Sequence, residues 1–245
     1  MSDVLVIGDG LLGSEIVKQT GWNYVSRKKN KLPLDRLMGV NLCDDSNVII
    51  NCIANTNTYS DDKESMIDVN YKFVVDLVNE LEIGYHPKKK LVHISTDYVY
   101  SNSIHYASED DVPIHNQSWY TYSKLLADAY IETYSKDYLI CRMTHKPNPF
   151  PYDKAWKNQI GNFDYVDDQV KRLVKLIEVG ASGIVNVGGK DTSMYELALK
   201  TNSKVKPNEC EHPVPNILTM NTDKMKELLK LELQMWIHFQ HILID

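Results

Sequence analysis

Tyr120 and Lys124 stand four residues apart, about two dozen residues after Ser95-Thr96-Asp97. On a helix running from 120 to about 134 that spacing puts both on one face, so a phenol and an ammonium can meet in one site. A tyrosine ionises at a pKa of about 10, which makes it a slow acid or base near neutral pH. A cation within roughly 4 to 6 Å favours the phenolate and is expected to draw that pKa down. The hydroxyl of Thr96 is then placed to hydrogen-bond the same reacting oxygen. The chemistry suggested is proton transfer at a carbonyl or an alcohol. Taken alone, the Tyr-x-x-x-Lys spacing fits an ordinary amphipathic helix equally well.

The start of the chain changes that balance. Val4-Leu5-Val6-Ile7 runs into Gly8-Asp9-Gly10-Leu11-Leu12-Gly13 and then Ser14-Glu15-Ile16-Val17, which reads as a buried strand, a tight turn and a helix. Gly8 permits the sharp turn, Gly10 lets the backbone approach a pyrophosphate, and Gly13 allows close helix packing. The N–H groups at the helix start, around Leu11 and Leu12, face the phosphates. The next strand, 22–25, ends in Ser26-Arg27-Lys28-Lys29, where an NAD-binding unit usually places an acid for the ribose hydroxyls. No acid follows that strand. Ser26 with Arg27 and Lys28 suits a 2′-phosphate, to which a guanidinium makes charge-assisted contacts. NADP(H) is the expected cofactor, with NAD(H) as the alternative.

Elements that would position these groups alternate along the chain. Apolar runs at 48–53, 91–95, 138–141 and 183–187 are separated by helical patterns, the clearest at 65–82 with Ile67, Val69, Phe73, Val74, Leu77, Val78 and Leu81 as a helical face. Continuous apolar strands suit a sheet covered on both sides, so the expected fold is α/β with a doubly wound parallel sheet. Ligands of such sheets bind beyond the carboxyl ends of the strands. The segments 8–13, 54–56, 95–97 and 142–145 all follow strands and should converge on one crevice.

Composition narrows the class. A chain of 245 residues with 43% hydrophobic residues can bury a full core, and a net charge of −6 argues against nucleic acid as a partner. Lys88-Lys89-Lys90 is read as a solvated loop. Cys43, Cys52, Cys141 and Cys210 lack metal-ligand spacing, with Cys52 and Cys141 expected in the core of a protein from a reducing compartment. The scattered histidines form no close pair, so no metal is expected. Without a signal peptide or a membrane-spanning apolar run, the expected location is cytoplasmic, with no membrane partner.

These motifs together resemble an extended short-chain dehydrogenase/reductase, most similar to the dTDP-4-dehydrorhamnose reductase family. The resemblance rests on the glycine loop, Asn51-Cys52-Ile53-Ala54-Asn55-Thr56, Asp68-Val69-Asn70, and above all Ile94-Ser95-Thr96-Asp97-Tyr98-Val99-Tyr100. Tyr120-x-x-x-Lys124 follows at the family's usual separation, and 183–189 and 192–196 match later segments. It implies a Rossmann-like domain over 1–142 carrying the catalytic residues. A smaller, mainly substrate-binding lobe spans 143–245, with late segments returning to the first domain. It also implies NADPH-dependent reduction of a nucleotide-linked 4-keto-6-deoxy sugar, as in dTDP-rhamnose biosynthesis. Tyr120 would protonate the C4 oxygen, with Lys124 holding the nicotinamide ribose, Thr96 on the oxygen and Asp97 orienting the substrate. Further cofactor contacts are implied at Cys52, Ile53, Ala54, Thr56 and Asn70, and substrate contacts at Thr96, Tyr98, Arg142, His145 and Trp156.

The chain departs from the family between Arg142 and Asp167-Asp168, where a longer segment is compressed around Pro147, Pro149 and Pro151, an extended loop by composition. Lys146 and Lys154 there are candidates for a diphosphate, and Phe163, like Trp156, for stacking on a base. A helix over 166–179, a strand at 183–187, a helix over 193–200 and a last helix from 223 are expected. Trp236, Phe239 and Ile242 recur at helical spacing as core or interface, and a homodimer stays open. Two alternatives stand beside the reductase: an epimerase or dehydratase of the same superfamily, and a non-catalytic NADP-binding regulatory subunit. Asp97 is followed by Tyr98 rather than by a second acid, which disfavours a dehydratase.

Overall fold

Strand β1, Val4–Ile7, is four apolar residues that are all buried. In this computed structural model, which describes residues 4–31, 46–58, 60–83, 89–100, 105–111, 118–210 and 215–230, β1 lies inside a six-stranded parallel sheet. Its companions are β2 (Asn23–Val25), β3 (Val48–Asn51), β4 (Lys90–Ser95), β5 (Tyr138–Met143) and β8 (Gly183–Val187). The order is β2-β1-β3-β4-β5-β8. The direction of winding reverses between β1 and β3, so the crevice opens beyond the carboxyl ends of those two strands. The protein is therefore a doubly wound α/β fold, as its sequence pattern predicts.

Helices cover both faces. On one, Val6, Ile50, Val92 and Leu139 meet α1 (Leu11–Thr20) and α6 (Val166–Glu178) through Ile16, Val170 and Leu173. On the other, Leu5, Ile49, Leu91 and Ile140 meet α4 (Phe73–Ile83) and α5 (Trp119–Tyr134) through Phe73, Leu77, Ala127 and Ile131. Successive strand residues point to opposite faces, which assigns the polar residues near the strand ends as well. Asn51 lies two beyond Ile49, His93 and Ser95 lie two and four beyond Leu91, and Arg142 lies two beyond Ile140. All of them face α5.

The expected helix over 65–82 is present, with one interruption. Lys63–Ile67 (α3) passes through a π turn at Asp68–Lys72 before continuing as α4. Asn70 sits in that turn, where the extra residue rotates its side chain inward and buries it.

Residues after β5 build a smaller layer. β6 (Lys154–Trp156) pairs with β10 (Lys206–Asn208), and β7 (Ile160–Gly161) lies between β11 (Ile217–Leu218) and β9 (Thr192–Ser193). Helix α7 (Met194–Leu199) opens with a capping box between Ser193 and Glu196. Phe150, Phe163, Tyr165, Met194 and Leu197 form the apolar centre of this part. A final described helix, α8, covers 223–230. Cys43, Trp236, Phe239 and Ile242 lie outside the described residues.

Lys89 departs from its reading as part of a solvated loop. It is buried, and its ammonium donates to the Ser46 carbonyl, because it leads directly into β4 beside β3. Among the described residues no helix is long and apolar enough to cross a membrane, and no cluster of three His, Cys, Asp or Glu is arranged to hold a metal.

Candidate active site

The glycine loop is built as its spacing requires. Gly8 has φ of +108° and its N–H donates to the Val25 carbonyl at 2.8 Å, tying the loop to β2. A Cβ on Gly13 would lie 2.1 Å from the Gly8 carbonyl oxygen, so α1 crosses the loop at a distance only glycine allows. Nothing lies within 4 Å of a Cβ built on Gly10, which leaves open space at the helix start. Gly10 caps α1 without a side chain, and the first turn carries no acidic residue. Such an end has free N–H groups and a favourable dipole for phosphate oxygens, so these residues fit a dinucleotide. Gly10, Leu11 and Leu12 form one end of a cavity of about 770 Å³.

Around the same cavity stand Thr96, Tyr120 and Lys124, with Cys52, Ala54 and Thr56 beside the loop. Tyr120 and Lys124 share one face of α5, as their spacing predicts. Their electrostatics are not those expected. The Tyr120 phenol is pushed up to about 12, chiefly by burial and further by Asp97 and Asp128, against the opposing effect of its hydrogen bond with Thr96. Lys124 is not among the groups that shift it; its Nζ lies 2.6 Å from the Ile94 carbonyl and 3.0 Å from His93 Nε2. Burial brings the Lys124 amine down to about 8, opposed by Asp128 and Cys52. Asp97 is 1% exposed, accepts from Thr96 Oγ1 at 3.2 Å and leaves Oδ2 without a partner. Burial raises its carboxyl to about 6.

Several residues expected to touch ligands are turned to other work. Arg142 is 2% exposed and does not line the cavity; Nε lies 3.2 Å from Asp128 Oδ2 and Nη1 donates to Tyr100 Oη at 2.7 Å. Its strand parity sends it under α5 rather than into the crevice. Asn70 accepts from the Asn55 N–H at 2.7 Å and donates to the Asn55 carbonyl and to Ser123 Oγ, each at 3.0 Å. It clamps the loop after β3 to α5. Ser26 is buried; its hydroxyl donates to Asp9 Oδ2 at 2.9 Å and accepts from the Lys29 N–H to cap α2 (Arg27–Asn30). Arg27 and Lys28 remain exposed at that helix start, while Lys29 donates to the Tyr24 carbonyl and lies over the Tyr24 ring. Ile53 packs against Gly8 rather than lining the cavity.

The other wall comes from the smaller layer. His145 and Trp156 line it as expected, and so does Tyr98, whose ring meets that of Tyr120 edge-on at 5.9 Å. Lys146 and Lys154 line it too, whereas Phe163 belongs to the apolar centre, in contact with Gly161. Phe150, Tyr152 and Met194 complete this wall without having been singled out as ligand contacts; Met194 lies in the family-like segment 192–196, and the folding of 143–156 over α7 brings the three together. Burial and the neighbouring Lys146 depress His145 to about 4, and its Nδ1 has no partner.

A family model described as the NAD dependent epimerase/dehydratase family matches residues 34–154, a span that carries Thr96, Tyr120 and Lys124. Close to half of the chain is therefore similar to this family. Solved structures share the fold along nearly the whole chain. A hypothetical dTDP-4-dehydrorhamnose reductase from Sulfolobus tokodaii is 22% identical, with TM-score 0.74, over 93% of this chain and 94% of the other. A dTDP-4-dehydrorhamnose reductase from Bacillus anthracis in complex with NADP is 20% identical, with TM-score 0.76, over 92% of each chain. A UDP-glucuronic acid 4-epimerase from Bacillus cereus in complex with NAD is 18% identical, with TM-score 0.68, over 93% of this chain and 90% of the other. No curated protein matches.

Proposed function

We propose that this protein is an NAD(P)H-dependent reductase of a nucleotide-linked 4-keto-6-deoxy sugar, of the dTDP- or UDP-4-dehydrorhamnose kind. The observation that carries the reading is the meeting of Thr96, Tyr120 and Lys124 on the cavity that begins at the glycine loop. Bound NADPH would supply the hydride to the carbonyl carbon. Tyr120 gives its proton to the carbonyl oxygen, which becomes strongly basic as the hydride arrives. A phenol held near 12 is fully protonated at neutral pH, the state a proton donor must start from. Thr96 hydrogen-bonds the same oxygen, and Lys124 holds the nicotinamide ribose. The smaller layer, with Lys146, Lys154 and Trp156, is the proposed seat of the nucleotide part of the substrate.

Epimerisation or dehydration is the second reading, favoured by the family match and the NAD-bound epimerase fold. Those reactions open with removal of a proton from a sugar hydroxyl, which calls for a phenolate. The raised pKa of Tyr120 opposes that first step. A regulatory subunit without chemistry is opposed by the intact reacting set.

NADP(H) is the preferred cofactor in this reading, on the exposed cations of Arg27 and Lys28. Asp9, held by Ser26, supplies an acceptor for a free ribose hydroxyl and keeps NAD(H) as a second cofactor. The test is a panel of dTDP- and UDP-linked 4-keto-6-deoxyhexoses mixed with NADPH, followed by loss of NADPH absorbance. Oxidation with at least one supports the reductase; none, with NADPH still bound, overturns it.

A further inference from the structure

Behind Lys124 lies a buried polar chain that the reaction outlined above does not use. Asn51 and His93 are register partners on β3 and β4, and both point toward α5. Asn51 Oδ1 accepts from the Ile53 N–H at 3.0 Å, which leaves its amide nitrogen to face His93 Nδ1 at 3.3 Å. An amide nitrogen only donates, so His93 Nδ1 is the acceptor and the ring proton sits on Nε2. That Nε2–H points at Lys124 Nζ, 3.0 Å away, while Nζ donates to the Ile94 carbonyl at 2.6 Å. An ammonium has no lone pair to receive the Nε2–H; an amine has one. All four contacts are satisfied together only when Lys124 is neutral.

We propose that His93, oriented by Asn51, is a positioning residue that sets whether Lys124 stands in the site as an amine or as an ammonium. When Lys124 takes a proton, His93 must turn its lone pair toward Nζ, which moves the ring proton to Nδ1. Nδ1–H then faces the Asn51 amide, donor against donor, so the ammonium forms only by giving up a buried hydrogen bond. His93 itself stays neutral, because burial and the adjacent Lys124 hold its pKa far below the usual imidazole value. It responds by changing tautomer, not charge. The other groups acting on Lys124 are Asp128 on α5, itself paired with Arg142 of β5, and Cys52 after β3. Asp128 and Cys52 both favour the ammonium, so the Asn51–His93 pair works alongside burial against them.

This inference takes from the proposed function only the role of Lys124, and its first test needs no turnover. In ¹⁵N-imidazole NMR of the full chain, the His93 signals are assigned by their loss in His93→Gln. The expected result is an Nδ1–H tautomer near pH 6 that converts to Nε2–H by about pH 10, following the lysine titration. In Lys124→Met the conversion should vanish. One tautomer across the whole range, or a conversion that survives in Lys124→Met, overturns the proposal. A second readout is the pH profile of kcat. His93→Gln offers an oxygen that accepts from the ammonium and should move the alkaline limb up. His93→Leu offers neither donor nor acceptor, so it lifts the bias toward the amine and should move the limb up by less. Equal loss of activity with unmoved limbs would leave His93 a packing residue and overturn the proposal. A chain that reduces no keto sugar refutes the reductase alone, and the NMR result still decides the role of His93.

Discussion

Arg142 Nε lies 3.2 Å from Asp128 Oδ2 in the interior of the protein, with neither side chain more than 2% exposed. The pair is the centre of a network rather than a ligand contact. Ser95 Oγ donates to Asp128 at 2.9 Å, Arg142 donates to Tyr100, and Tyr100 donates to Asn186 Oδ1 at 3.0 Å. Asn186 in turn donates to the Asn221 carbonyl at 3.2 Å. The helix that carries Tyr120 and Lys124 is thereby anchored to β8 and to the segment entering α8.

Removing one member of a buried pair strands the other charge. Arg142→Met should therefore lower stability by about 3 to 5 kcal/mol, measured by chemical denaturation. The loss should be that large although the side chain touches no part of the cavity. A variant as stable as the parent, but with a raised KM for substrate, would return Arg142 to the substrate site.

Tyr120→Phe removes the proposed proton donor and leaves the ring. Turnover should fall by roughly 10² to 10⁴, the span of positioned acid catalysis, while NADPH binding followed by fluorescence stays within about twofold. Turnover near the parent value would sink the assignment of Tyr120 as the acid.

The sheet and the loops at its carboxyl edge were legible because position in the chain decides them. A glycine turn after β1 or Thr96 after β4 must lie at that edge once the strands are parallel. The facing of residues within strands was not legible. Leu139, Ile140 and Cys141 are all buried, so a strand covered on both sides shows no alternation from which to place Arg142. Asn51 and His93 were hidden in apolar runs for the same reason. The inward facing of Asn70 was not legible either, because a π turn, invisible in residue spacing, rotates it. Phe150, Tyr152 and Met194 reach the cavity through packing between distant segments, which leaves no local pattern.

Asp97 is buried with one oxygen unpaired, and its folded pKa of about 6 lies above its usual value of 3.8. A raised acid destabilises the fold when ionised: the penalty is absent below about 4, grows as pH rises, and is complete above about 6. Asp97→Asn keeps the acceptor for Thr96 and cannot ionise. Between about pH 5 and pH 8 its stability relative to the parent should rise by about 1 to 2 kcal/mol, read from paired denaturation curves. A pH-independent difference would show that Asp97 is not held in its acid form by the fold.

In the proposed reading, cofactor choice turns on two opposed groups, Arg27 just after β2 and Asp9 in the loop after β1. Arg27 is an exposed cation suited to a 2′-phosphate, whereas Asp9, fixed by Ser26, presents a carboxylate suited to a hydroxyl and repels a phosphate. Arg27→Ala should weaken NADPH by about tenfold or more and leave NADH within about twofold, as one charge-assisted contact to phosphate accounts for that difference. Asp9→Asn should act in the reverse sense, tightening NADPH relative to NADH, since the repulsion is lost while Ser26 keeps a neutral partner. Titration of both cofactors against both variants separates the contributions. If Arg27→Ala weakens the two cofactors equally, the guanidinium does not meet the 2′-position, and Asp9 then selects for NAD(H).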